Sequence, residues 1–310
     1  MTGFQIRTDL ALEEQEGSIG EKAKIHGVTV EEYDNKENEI HITKVMIHSK
    51  NGAKAMNKPM GNYITLEAPC MQEADEDYHR EVSKELAAQL KEMMPKSEEV
   101  QSVLVVGLGN RNVTADALGP GVVDNLLITR HIIREYGPAA YDKERMNYVS
   151  GIVPGVMAAT GMEAAEIVKG VIGQTAPDLI IAVDALAARS IRRLNRTIQL
   201  TDTGIHPGSG VGNHRNALTY ESLGVPVIAI GVPTVVNAAT IVSDAMEHMR
   251  KEAGQDMGEA AVGTMCATAF GTMSTMTELN NMYVTGKNID EVVKRLGYTI
   301  SEALNMALEL

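Results

Sequence analysis

Residues 103–124, VLVVGLGNRNVTADALGPGVVD, leave the fewest options for the fold. Val103, Leu104, Val105 and Val106 form a short aliphatic run that reads as a buried strand in a parallel sheet. Gly107 and Gly109 then permit a sharp turn. A polar loop over 111–114 leads to one acid, Asp116, and after Gly119-Pro120-Gly121 an apolar helix is expected over about 121–136. In open α/β sheets, ligands and chemistry gather at the carboxyl ends of such strands.

The rest of the chain repeats this alternation. Strands are expected at 146–152, 178–184, 197–201 and 226–230, and helices at 157–171, 185–194, 238–251 and 289–310. Strands alternating with helices imply a mostly parallel, twisted sheet with helices on both faces. Upstream, the alternating runs 27–33 and 40–47 flank a polar turn, and 62–66 supplies a third strand, so a small antiparallel β element is expected at about 25–66. Val82, Leu86, Leu90 and Met93 recur at helical spacing within 72–96, and Pro95 ends that helix. Residues 1–24 open with an irregular piece that turns weakly helical from Asp9, and fraying is the default for a terminus.

Composition narrows the function classes. With no Trp, two Phe and 18 Met, a core must be built from aliphatic residues and Met. A net charge of −13 disfavours direct nucleic-acid binding, because phosphate neutralisation needs Lys and Arg. Cys70 and Cys266 make neither a disulfide framework nor a zinc pattern, which fits a reducing cytoplasmic compartment. No apolar run is long enough to span a membrane, and the acidic N-terminus is no signal peptide.

Three readings apply to the turn at 107–112. A dinucleotide fingerprint would want a third glycine where Asn112 stands, and an acid ending a strand further on. A phosphate loop is excluded because no Gly-Lys-Ser/Thr follows. The turn is then either structural or a device that places Asp116. Asp184 bears on the choice, since it ends the apolar run 179–183, where a carboxylate is costly unless it is bonded or used. If strands 103–107 and 178–184 are neighbours, Asp116 and Asp184 approach each other, one pKa rises, and the pair can activate water as base and acid. The structural alternative is that Asp184 caps a helix starting at Ala185.

The loop 202–215 carries four glycines and two histidines at the same end of the sheet. It could offer backbone donors to an oxyanion, or His206 could complete a divalent-metal site with Asp116 and Asp184. Arg189, Arg192, Arg193, Arg196 and Arg215 could bind an acidic substrate side chain or form a solvated helix face.

With these motifs in hand, the chain resembles the germination proteases of endospore-forming bacteria. The likeness rests on IRTDLALE at 6–13, NYITLEAP at 62–69, VLVVGLGNRNVTADALGP at 103–120, PGVMAATGMEAAEIVKG at 154–170, DLIIAVDALAARS at 178–190 and DTGIHPGSGVGN at 202–213. The resemblance implies an endopeptidase of the forespore and spore core that degrades small acid-soluble spore proteins at germination. It implies catalytic aspartates matching Asp116 and Asp184, and no cofactor. It further implies an inactive homotetrameric precursor that cuts itself between Asp9 and Leu10, so that 1–9 is a propeptide and 10–310 a single α/β peptidase domain. Cleavage after an acidic residue is part of that expectation. The glycine–asparagine turn and the strand-end acid also resemble those of hydrogenase maturation proteases, which would make a divalent metal the alternative. A spore-associated binding protein with a decayed site is the non-enzymatic one.

Overall fold

The structure, a computed structural model, describes residues 8–13, 25–97, 99–141, 146–208, 216–242, 244–245 and 278–310. Among these residues its frame is a nine-stranded sheet. The strands are β1 (Val28–Asn35), β2 (Ile40–Ile47), β3 (Gly61–Glu67), β4 (Ser102–Gly107), β5 (Tyr148–Ile152), β6 (Leu179–Ala188), β7 (Thr197–Thr201), β8 (Val227–Asn237) and β9 (Tyr283–Val284). They lie in the order β1-β2-β3-β7-β8-β6-β4-β5, with β9 against the end of β8.

The sheet is mixed, which corrects the expectation of a mostly parallel one. β4 runs parallel to β5 and β6, and β6 parallel to β8. The pairs β1–β2, β2–β3, β3–β7, β7–β8 and β8–β9 are antiparallel. The cause lies between β6 and β7. A parallel neighbour needs a crossover of a dozen residues or more. The segment 189–196 holds a single tight turn, Ile191–Arg193, and sends β7 back the other way. The expected N-terminal antiparallel strands form over β1, β2 and β3, and β3 pairs with β7, so they continue the main sheet.

Period-two alternation divides the core between the two faces. Val103, Val105, Ile181, Val183, Ile228 and Ile230 face the helices Glu76–Met93, Leu118–Asn125 and Ile289–Ala307. Leu104, Val106, Ile180, Ala182 and Ala229 face the opposite way, toward Ala165 and Val168 of the helix Ala164–Thr175. Helices on both faces are thus present.

Two expected helices are each broken in two. The 121–136 helix is Leu118–Asn125 followed by Arg130–Tyr136. The 157–171 helix is Met157–Thr160, ended by Gly161 in the left-handed region, followed by Ala164–Thr175 with a Glu163/Glu166 capping box. The expected 185–194 helix does not form. Ala185, Leu186, Ala187 and Ala188 continue β6, paired with Val232, Pro233, Val235 and Val236 of β8 across a bulge. Ala and Leu favour helix, but strand pairing beside β8 outweighs that preference. Of the 238–251 helix, only the start lies within the described residues.

The turn after β4 closes on itself through glycines. A Cβ on Gly107 would lie 2.3 Å from the Gly119 carbonyl oxygen, and one on Gly119 would lie 2.3 Å from that of Leu108 and 2.5 Å from that of Val183. All are backbone atoms with no room to yield. Gly119→Ala is therefore expected to destabilise the protein by at least about 1–3 kcal/mol, the usual cost of overpacking. A lowered urea midpoint in a refolding titration checks this, and an unchanged midpoint would show that the turn can open at no cost.

Candidate active site

Asp116 ends a short turn, Thr114–Asp116, that packs against β6 and β8. Its backbone carbonyl accepts from the Asn110 amide at 3.0 Å, and its amide donates to Val113 at 2.8 Å. Gly109 has φ +114°, and a Cβ there would lie 2.0 Å from the Asp116 carbonyl oxygen. From the sheet side, the Thr234 hydroxyl donates to the Ala115 carbonyl at 2.6 Å. The Thr285 hydroxyl donates in turn to the Thr234 carbonyl at 2.7 Å. The turn is thus pinned from two directions, and it holds Asp116 half-buried. Nearby, Arg111 hydrogen-bonds the Asp124 carboxylate and holds it below the usual carboxylate range, so Asp124 stays ionised and paired.

Asp184 sits inside β6 at 5% exposure, one residue past the point where β4 stops pairing. It caps no helix. One carboxylate oxygen accepts from the Ala185 amide at 2.9 Å. Asp184 lines a cavity of about 90 Å³, room for a few water molecules, together with Lys58, Tyr63, Gln199, Thr201, His206 and Asp9. Burial, ahead of its other influences, raises the Tyr63 phenol above its usual pKa. The phenol stays protonated and donates to the Pro59 carbonyl at 2.9 Å.

The N-terminal segment 8–13 does not fray. Leu10 and Ala11 are fully buried, Leu10 beside Leu186 and Val236, Ala11 beside Val45, Met56 and Tyr63. β4 ends opposite Val183, so among the described residues β6 has an open edge beyond that point, and the N-terminal segment meets it through a bend at Asp9 that leads into a helical turn over Ala11, Leu12 and Glu13. The Asp9 amide donates to the Ala187 carbonyl at 3.1 Å. The Ala187 amide donates to the Asp9 carboxylate at 2.9 Å. Further on, the buried Glu13 carboxylate accepts from the Arg189 and Ser190 amides at 2.7 and 2.9 Å. Arg193, 3.5 Å from Glu13, completes its surroundings and also bonds Glu67 at 3.1 Å.

The comparisons with known proteins bear on this arrangement. The germination protease family profile matches residues 6–280. The chain belongs to the germination protease family. It is 46% identical to the germination protease of Caldanaerobacter subterraneus over 98% of this chain and 94% of that one. The germination protease of Clostridium tetani is 41% identical over 99% of this chain and 96% of that one. A NiFe hydrogenase maturation protease from Thermococcus kodakarensis is similar at 17% identity, with a TM-score of 0.31, covering 66% of this chain and 93% of that one. Family membership makes the chain a protease. No helix among the described residues is long and apolar enough to cross a membrane.

In this germination protease, Asp184, His206 and Asp9 line one cavity. Asp116, on the turn after the neighbouring strand, is outside that lining. His206 is exposed, and among the described residues no three His, Cys, Asp or Glu side chains group closely enough to hold a metal ion. The set Asp116, Asp184 and His206 therefore does not fit a divalent metal as arranged. Of the arginines, Arg193 meets Glu13 and Glu67 through its guanidinium, Arg189 meets Glu13 through its backbone amide, and Arg196 reaches Gln72. Residues 209–215, including Arg215, lie outside the described residues.

Sequence reasoning missed Lys58, Tyr63 and Gln199. A signal existed for Gln199. Thr197, Gln199 and Thr201 alternate with Ile198 and Leu200, and all three are buried, so one face of a central strand is polar and yet covered. Glu13→Ala should loosen the N-terminal segment by about 1–3 kcal/mol, the cost of leaving its hydrogen-bonding partners unsatisfied. Amide exchange at Leu10 and Ala11 should then quicken by about tenfold or more, and wild-type rates would show that Glu13 does not anchor the segment.

Proposed function

We propose that this chain is an endopeptidase made as a self-processing precursor, in which 1–9 is a propeptide removed by cleavage between Asp9 and Leu10. One observation carries the reading. Asp9 is tied to Ala187 of β6 through its amide and its carboxylate, and Asp9 and Asp184 line the same cavity. A chain bent at Asp9, held through its backbone and set beside a buried carboxylate, presents a peptide bond for attack.

Asp116 and Asp184 then activate water between them. One carboxylate takes a proton from water as its oxygen adds to the Asp9 carbonyl carbon. The other, protonated, gives its proton to the Leu10 nitrogen as the C–N bond breaks, leaving a carboxyl-terminated Asp9 and a free Leu10 amine. The same groove serves substrates in trans, cut after an acidic residue with a hydrophobic one next. The family name, germination protease, points to spore proteins, and the resemblance points to the small acid-soluble class within the spore core, degraded by an enzyme assembled as a homotetramer. Neither a nucleic acid nor a membrane is a partner in this reading.

Asp184→Asn and Asp116→Asn are expected to keep the wild-type unfolding midpoint and to lose both self-processing and cleavage of an added spore protein. N-terminal sequencing of incubated wild-type protein should begin at Leu10. Full activity in either variant sinks the two-aspartate mechanism. A protein that never cuts itself or a substrate supports a binding role instead. Activity should also survive dialysis against a chelator; loss restored by a divalent ion would transfer water activation to a metal.

A further inference from the structure

The carbonyl of Asp9 is gripped by two side chains. Lys58 Nζ donates to it at 2.9 Å. Gln199 Nε2 donates to it at 3.3 Å. The orientation of the Gln199 amide is fixed by chemistry, because its Oε1 accepts from the Ala11 amide at 2.6 Å and an N–H can only donate. Gln199 therefore clamps the peptide groups on both sides of Leu10 through backbone atoms.

Both donors are mounted on rigid parts. Gln199 is buried at the centre of β7, between β3 and β8. Lys58 follows the helix Lys50–Met56, whose end is locked. Asn57 takes the left-handed conformation, its amide reaches the Lys54 carbonyl at 3.4 Å, and the Lys58 amide reaches the Ala53 carbonyl at 3.1 Å. Pro59 comes next, and its carbonyl is held by the Tyr63 hydroxyl. Lys58 and Gln199 line the cavity that Asp184 lines.

We propose that Lys58 and Gln199 form the carbonyl-polarising pair of this protease, binding the oxygen that becomes negatively charged when water adds to the scissile peptide. This rests on the cleavage proposed between Asp9 and Leu10. A cation and an amide donor aimed at a carbonyl strengthen their hold as charge builds on the oxygen, so they lower the barrier more than they tighten ground-state binding. Lys58 already reaches the carbonyl oxygen of the intact peptide at 2.9 Å, and its flexible stem lets the ammonium follow that oxygen as the carbon becomes tetrahedral. The Gln199 clamp adds register. By fixing the carbonyl before the bond and the amide two residues later, it sets which peptide bond faces the carboxylate, whatever the side chains. The pair thus serves both the self-cut and substrates in trans.

The test uses the full-length chain and a synthetic peptide of sequence RTDLALEE, with steady-state kinetics followed by mass spectrometry. Lys58→Met should lower kcat on the order of 10²–10³-fold. Its KM should change by less than about threefold, because most of the interaction is gained only as charge builds on the oxygen. Gln199→Leu, which also loses the acceptor for the second amide, should lower kcat and raise KM together. Lys58→Cys should be equally slow and should recover at least about tenfold in kcat after alkylation with bromoethylamine, which rebuilds a lysine-like amine. Wild-type protein alkylated in parallel controls for Cys70 and Cys266. If Lys58→Met loses its fold, the cysteine variant before and after alkylation gives the same comparison within one protein.

A Lys58→Met enzyme with kcat within about threefold of wild type overturns the pair. So does a variant that changes KM alone, which would mean uniform binding. Failure of the underlying reading is separable. A wild-type chain that leaves both the peptide and its own Asp9–Leu10 bond intact overturns the two together. Normal cleavage by Asp184→Asn alongside a slow Lys58→Met removes the aspartate and leaves the carbonyl pair standing.

Discussion

The open edge of β6 beyond Val183 is the constraint on which the site depends. β4 has to leave the sheet there, because Gly107 and Gly119 bring the turn and the following helix into backbone contact. Leu108 makes the last bond across, to the Val183 carbonyl at 2.8 Å. From that point the backbone groups of β6 that faced β4 meet no further strand among the described residues, and buried backbone groups are costly when unpaired. Asp184 bonds the next amide itself, and the Asp9 backbone and side chain satisfy Ala187. Early departure of one strand thus creates at once a place for a carboxylate and a place for a peptide.

The same geometry accounts for the burial of the N-terminal segment. Leu10 enters the hydrophobic layer beneath the helix Ala164–Thr175, and Ala11 enters the smaller cluster with Met56 and Tyr63. Between these layers the sheet surface is polar, with Gln199 next to Thr65 on β3 and Thr201 next to Tyr63. A polar strip flanked by apolar pockets gives a bound chain fixed backbone contacts and separate places for side chains. Glu13 closes the far end, its charge shared by two amides and Arg193.

Much of the frame was legible because it depended on local pattern. The strand at 102–107, the continuous apolar run of β6 and the long helices at 76–93 and 289–307 follow from periodicity alone. Helix breaks at Gly161 and at 126–129 were not legible, nor was the strand conformation of Ala185, Leu186, Ala187 and Ala188. Those four residues prefer helix in isolation, and only β8 beside them decides otherwise. Strand direction was equally hidden. Periodicity is the same in parallel and antiparallel strands, so the mixed sheet emerged only from the tight return between β6 and β7.

By itself, the sequence determined an α/β chain with glycines at a strand end, acids at 116 and 184, and motifs of the germination protease family. These are properties of short stretches, set by side-chain chemistry and spacing. Tertiary structure alone decided that an N-terminal Asp9–Leu10 bond shares a cavity with Asp184, and that Lys58 and Gln199 reach its carbonyl. These groups lie on a terminal segment, a helix end and two strands, far apart along the chain. No periodicity links such positions, and only the pairing of β3 with β7 and of β7 and β6 with β8 brings them together.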